Sequence, residues 1–149
     1  MPKSTVTVQV DAPCEDVFAL IHNYDIRLTW DTMLSEARIL GEADAAATGV
    51  TTRCVGSWRS GWMPMETIYV NFKPGEVAAV KLTNRPPFFD HFAATIRHTP
   101  LEYGRSQVDY IYLFRSRPRW LAPLLEPIMN VALRWETNKR LLALKAYFK

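Results

Sequence analysis

Hydrophobic and polar positions along the chain repeat mostly with period two, interrupted by one short helical stretch near the start, and give way to a period of about 3.6 towards the end. Residues 5–10 alternate as Thr5, Val6, Thr7, Val8, Gln9 and Val10, which predicts a half-buried strand. Asp11-Ala12-Pro13 ends that ladder, because proline has no amide hydrogen to give. The same proline suits the first turn of a helix, where that hydrogen would be unpaired. Glu15 and Asp16 then complement the helix dipole, and Val17, Leu20, Ile21 and Tyr24 give one apolar face. Residues 25–31 predict a second short helical piece that brings Trp30 inward. Six further strands are expected at 34–41, 48–56, 64–73, 77–84, 90–99 and 106–116, with a turn at Pro74-Gly75. Beyond 119 the pattern is helical: Leu121, Leu125, Ile128, Ala132, Trp135 and Leu142 form an apolar stripe. Pro123 and Pro127 cannot both sit quietly inside a helix. The long helix is expected to start near one of them, after an irregular piece at 119–122.

Seven strands with one long terminal helix predict an α+β fold, a curved antiparallel sheet wrapped around that helix. Such an arrangement leaves a hollow between the two layers. The length of 149 residues, without repeat or linker, is read as a single domain spanning 1–149. Hydrophobic residues make up 48% and charged residues 22%, as in soluble globular proteins. A net charge of +3, with basic residues scattered except at Arg115, Arg117 and Arg119, argues against nucleic acid as a partner. That cluster reads as a solvated turn. Cys14 and Cys54 form no CxxC pair and read as reduced thiols of a cytoplasmic protein. The start lacks the apolar core of a signal peptide, and no apolar run is long enough for stable membrane insertion.

Strand parity nominates the residues facing the hollow. They are Val50, Thr52 and Cys54; Ile68, Val70 and Phe72; Ala78, Val80 and Leu82; Phe92, Ala94 and Ile96; and Val108, Tyr110, Tyr112 and Phe114. The opposite set on residues 64–73, Thr67, Tyr69, Asn71 and Lys73, suits water. The terminal helix adds Leu125 and Met129. An apolar lining with a few polar groups is the usual make-up of a small-molecule site. Glu66 shares parity with Ile68 and falls opposite Cys54 if the hairpin closes near residue 60. It is the candidate general acid or ligand donor, with a solvated place at the strand end as the other reading. Trp58 and Trp62 sit in that hairpin, where turns normally carry polar residues. They could lid the hollow, touch a membrane, meet a second subunit to form a homodimer, or fold into the core. His22, His91 and His98 lack metal-ligand spacing and are expected at the surface or rim, and Asp25 and Asp31 are expected to cap or solvate a helix. No nucleophile elbow and no phosphate-cradling loop occurs in the sequence. No cofactor and no metal is expected.

Val6-x-Val8-x-Val10 leading into Ala12-Pro13, then Val17-Phe18, Asn23 and Trp30-Asp31, resembles the START-like (SRPBCC) superfamily. So does the closing Trp135-Glu136 with Leu141-Leu142-x-Leu144-Lys145. The nearest group is that of polyketide cyclases/dehydrases and lipid-transport proteins. The resemblance implies a helix-grip fold, with a seven-stranded sheet around a C-terminal helix and an apolar cavity between them. Members bind lipids, sterols, polyketides, plant hormones or hydrophobic cofactors, and some catalyse cyclisation or dehydration. The family has no universal catalytic motif, so no residue role is transferred. Pro123 and Pro127 depart from its pattern.

The leading expectation is therefore binding or transport of a hydrophobic or aromatic small molecule, oriented by Glu66, Tyr110 and Tyr112. The alternatives are a cyclase, aromatase or dehydratase acting through Glu66 or a tyrosine hydroxyl, and an interaction module that uses the Trp58 and Trp62 hairpin.

Overall fold

A computed structural model of the chain describes residues 3–31, 34–56 and 63–148. One curled antiparallel sheet contains, in spatial order, β1 (Lys3–Val10), β7 (Ser106–Ser116), β6 (Phe89–Pro100), β5 (Val77–Leu82), β4 (Pro64–Lys73), β3 (Thr51–Gly56) and β2 (Leu34–Ile39). Strands β2 to β7 pair in chain order, and β1 closes onto β7 with Val8 opposite Val108. The short helix α1 (Cys14–Ile21) follows β1, and α2 (Ala122–Tyr147) ends the chain and packs chiefly on β1 and β7. This is the helix-grip arrangement.

Local chemistry explains the boundaries. Pro13 stands at the N-cap of α1 with an extended backbone, and its carbonyl accepts from the amides of Asp16 and Val17, both at 3.1 Å. Val17, Phe18, Leu20 and Ile21 are buried beneath. A single 3-10 turn, Arg27–Thr29, then brings Trp30 into the core. β2 and β3 are shorter than the periodicity predicts because Gly41 and Gly49 take positive φ in the connection between them. At the C-terminal end, a 3-10 turn (Arg119–Leu121) precedes α2. Pro123 occupies the first helical turn, where its missing amide costs nothing, and Pro127 lies inside the helix. Glu126 reaches back and accepts from the Ser116 amide at 2.9 Å, which fixes the helix start to the end of β7.

Two sequence expectations need correction. The first concerns the face of α2. Ile128, Trp135 and Leu142 are 63%, 57% and 52% exposed, while Thr137, Arg140, Leu141 and Leu144 are buried and Met129 and Leu133 pack on the core. The periodic pattern misleads because α2 carries apolar residues on both faces, and its inner face includes the polar Asn130, Thr137 and Arg140. The second concerns β4. Its pairing with β5 shifts between Tyr69 and Asn71, a bulge at Val70. Before the bulge, Met65, Thr67 and Tyr69 turn inward; after it, Phe72 does. Ile68 therefore faces away from the hollow, and Val70 is 49% exposed. The β3–β4 register sets Cys54 opposite Met65 and Arg53 opposite Glu66, one residue from the expected pairing. Trp58 and Trp62 lie outside the described residues.

Two of the three histidines, His22 and His98, also depart from expectation. His22 and His98 are buried with Phe18, and His22 Nε2 and both ring nitrogens of His98 lack a hydrogen-bond partner among the described residues. Burial pushes the His98 pKa down to about 4. It pushes His22 well below its usual value too, helped by the nearby Arg27 and His98 charges.

Two outcomes follow. Leu144→Ala should cost about 2–5 kcal/mol in a urea unfolding series and Leu142→Ala less than about 0.5 kcal/mol; equal losses would mean the helix is rotated. Because the unfolded state takes up histidine protons that the folded state refuses, stability should fall as pH drops from about 6.5 towards 4. The slope should be about 1.4 kcal/mol per pH unit for each histidine, and His98→Phe should make it shallower.

Candidate functional site

Between the inner face of the sheet, the segment after α1 and the helix α2 lies a cavity of about 660 Å³. It exists because β5 and β6 present small or medium side chains, Ala78, Val80 and Ala94, where larger ones would meet α2. Met63, Met65, Phe89, Phe92 and Ile96 from the sheet side, with Met129, Ala132 and Leu133 from α2, make most of its wall apolar. Phe88 and Trp135, 53% and 57% exposed, also line it and so mark the side that communicates with solvent. A second hollow of about 530 Å³, at the start of α1, mixes Lys73, Glu76, Arg97 and Arg105 with Pro13, Val77 and Leu101 and is less apolar than the first.

Two polar groupings interrupt the apolar wall. In the first, the hydroxyls of Tyr24 and Tyr69 are 2.7 Å apart, and Tyr69 is also 2.7 Å from His22 Nδ1. Burial raises the pKa of both tyrosines, so they stay protonated and can act as hydrogen-bond donors. Next to them Thr52 and Thr67 share a hydroxyl contact at 3.1 Å. In the second grouping, Asp31 is buried between two arginines. Arg27 Nε donates to Asp31 Oδ2 at 2.8 Å and Arg140 Nε lies 3.0 Å from the same oxygen. Arg27 Nη1 donates to the Ile21 carbonyl at 2.9 Å, and Arg140 Nη1 to the Tyr110 hydroxyl at 3.4 Å. Burial works against the Arg27 charge, but Asp31 more than offsets it, and the guanidinium pKa rises above its ordinary value. Burial also pushes the Cys54 thiol up, against the opposing pull of Arg27 and Arg140.

Of the residues nominated from sequence, Thr52, Cys54, Ala78, Val80, Phe92, Ala94, Ile96, Tyr110 and Met129 line this cavity together. The others do not. Val108 and Phe114 are fully buried in the core, Val50 and Phe72 pack with Phe18 and Tyr69, and Val70 is half exposed. Glu66 is on the outer face, where its carboxylate accepts from Arg53 Nη1 at 2.9 Å. Ile68 shares that face because of the β4 register. Leu82 packs against the core without reaching the cavity. The Tyr112 ring is fully buried and its hydroxyl donates to Asn130 Oδ1 at 3.1 Å. Leu125 falls on the flank of α2, away from the cavity. Sequence reasoning places Tyr69 towards water, His22 at the surface or rim and Asp31 at a helix end as a cap or in solvent, and so misses all three. It also misses Tyr24, Arg27 and Arg140. The adjacent Trp30-Asp31 pair is the available signal: an acid beside a residue brought into the core needs a cation. Among the described residues, no group of three or more His, Cys, Asp or Glu could hold a metal ion, and no helix is long and apolar enough to cross a membrane.

Comparison with known structures matches this fold closely. The aromatase/cyclase Zhui from Streptomyces sp. R1128 superposes with a TM-score of 0.79 at 17% identity, over 98% of this chain and 92% of that one. A START superfamily protein from Mycobacterium smegmatis gives 0.77 at 12% identity, over 98% and 96%. A protein from Thermus thermophilus gives 0.80 at 12% identity, over 97% and 95%. At such identities the likeness carries the fold alone. No curated protein matches the sequence. The family model described as "Polyketide cyclase / dehydrase and lipid transport" matches residues 1–149, and the chain belongs to that family.

Proposed function

We propose that the protein binds an apolar or aromatic small molecule in the cavity between sheet and α2 and acts as its carrier. One observation carries this reading: the hollow of about 660 Å³ is walled mainly by aliphatic, aromatic and methionine side chains, with most of its polar groups gathered in two places. A guest there would be held by removal of its apolar surface from water, about 25 cal/mol per Å² before the entropy costs of association. The two polar groupings would fix its orientation, a role expected of Glu66, Tyr110 and Tyr112 and now shared by Tyr110 with Tyr24, Tyr69 and Arg140. The family supports the same class of ligand.

A second reading is favoured by the Tyr24, Tyr69 and His22 chain. Three hydrogen-bonding groups in series on a cavity wall can donate to a carbonyl and pass a proton to a neighbour, which enolisation and cyclisation of a polyketide-like substrate require. The family, described as polyketide cyclase / dehydrase and lipid transport, is in keeping with this enzymatic alternative to carriage.

Ala132 lies on the exposed edge of the cavity wall. Ala132→Trp should abolish the thermal shift given by a hydrophobic ligand while changing the unliganded melting temperature little; an undiminished shift would place the ligand elsewhere. For the enzymatic reading, Tyr69→Phe should lower turnover of a polyketide-like substrate by about 10²-fold or more and leave ligand-induced stabilisation in place. Glu66→Gln should leave turnover unchanged, and the reverse pattern would remove the tyrosine chain from the mechanism.

A further inference from the structure

We propose that the guest of this cavity carries an anionic oxygen headgroup, seated against Arg27 and Arg140, on an apolar body. This rests on the binding reading above and narrows its ligand class. The two arginines come from the turn after α1 and from α2, yet both guanidiniums converge on the single carboxylate of Asp31. Both are buried, with 6% and 8% of their surface exposed, and both line the cavity. Neither can shed its proton to escape the apolar surroundings. Two fixed cations and one anion leave the cluster with an excess of positive charge. Glu136 also lines the cavity, but among the described residues it forms no ion pair with either arginine.

A buried charge without a counter-charge is unfavourable, and a guest lacking a charge would strip the cluster of water without replacing it. An anionic oxygen would supply the missing partner. The planar fork of a guanidinium suits two oxygens on one carbon, as in a carboxylate, and also the oxygen of an acidic enol or phenol. Tyr110 adds a donor: its oxygen accepts from Arg140 Nη1, which leaves its own proton for the ligand. The rest of the wall, Phe92, Ala94, Met129 and Leu133 among it, offers an anion nothing and fits the apolar body.

The test uses the wild-type chain, with a neutral environment-sensitive dye bound in the cavity at near-neutral pH. Dodecanoic acid, dodecan-1-ol and methyl dodecanoate are compared as displacers, as are 2-naphthoic acid and 2-naphthylmethanol. The acid should displace the dye roughly tenfold more tightly than its neutral partners in at least one series, and which series shows it distinguishes an aliphatic from an aromatic body. Arg27→Met should bring the acid-to-alcohol affinity ratio, measured within the variant, close to one; an undiminished ratio would remove Arg27 from headgroup recognition. If acid, alcohol and ester displace the dye equally in both series, the headgroup proposal is overturned while the cavity reading survives. If neither dye nor any displacer binds, both fall. The wild-type comparison stands even if the variant does not fold.

Discussion

The carboxylate of Asp31 is the constraint around which this molecule is arranged. It sits in the interior with two guanidiniums on it, one from the segment that follows α1 and one from the C-terminal third of α2. Charges taken out of water are stable only when their geometry is well matched, and breaking such a set by removing one member typically costs about 3–5 kcal/mol. The cluster thereby sets the position of α2 relative to the turn that precedes β2. Trp30 enters the core one residue away, so the same turn delivers both an aromatic anchor and an electrostatic one. The exposed outer face of α2, with Leu124, Ile128 and Val131, contributes nothing to this placement.

With the helix held in that way, the hollow beneath it follows from side-chain size. The rings of Tyr112 and Phe114 fill the space under the first part of α2, and Leu141 and Leu144 are buried under its last turns. Further along the sheet, alanines and valines on β5 and β6 leave the volume open. A second, smaller packed zone, with Phe18, Tyr69 and Phe72 edge to face around His22, closes the side nearest α1. The cavity is thus bounded by two rigid aromatic groups, and its polar functions sit where these groups meet it.

The architecture was legible in the sequence because it depends on period and order. Strands β4 and β7 begin and end where alternation begins and ends, and Pro13 marks the entry to α1 through its missing hydrogen. The wall of the hollow was legible on β3 and β5 and on the stretches of β6 and β7 where alternation holds, whereas the register shift between Phe89 and His91 hid Phe89. It was not legible on β4, since Met65, Thr67 and Tyr69 are as suited to an interior as Glu66, Ile68 and Val70 are to a rim, and nothing local announces the bulge. The buried charges were hidden for a different reason. Arg27, Asp31 and Arg140 read as surface residues until the chain brings positions 109 residues apart into contact, Asp31 with Arg140. Helix periodicity counts Arg140 and Thr137 as outward-facing, which rotated the assigned face of α2.

The half-step at Val70 has a consequence of its own. A strand that keeps perfect alternation commits all its odd positions to one layer. By letting one residue stand aside, β4 sends Tyr69 and Phe72, three positions apart, into the same interior while Ile68 stays outside it. One strand thereby serves two neighbourhoods, the chamber at its beginning and the aromatic group at its end. A single insertion or deletion there would re-address every side chain downstream, yet leave the Pro74-Gly75 turn and its flanking sequence untouched. Relatives that differ by one residue at this place could keep the same outline and enclose an interior of quite different chemistry.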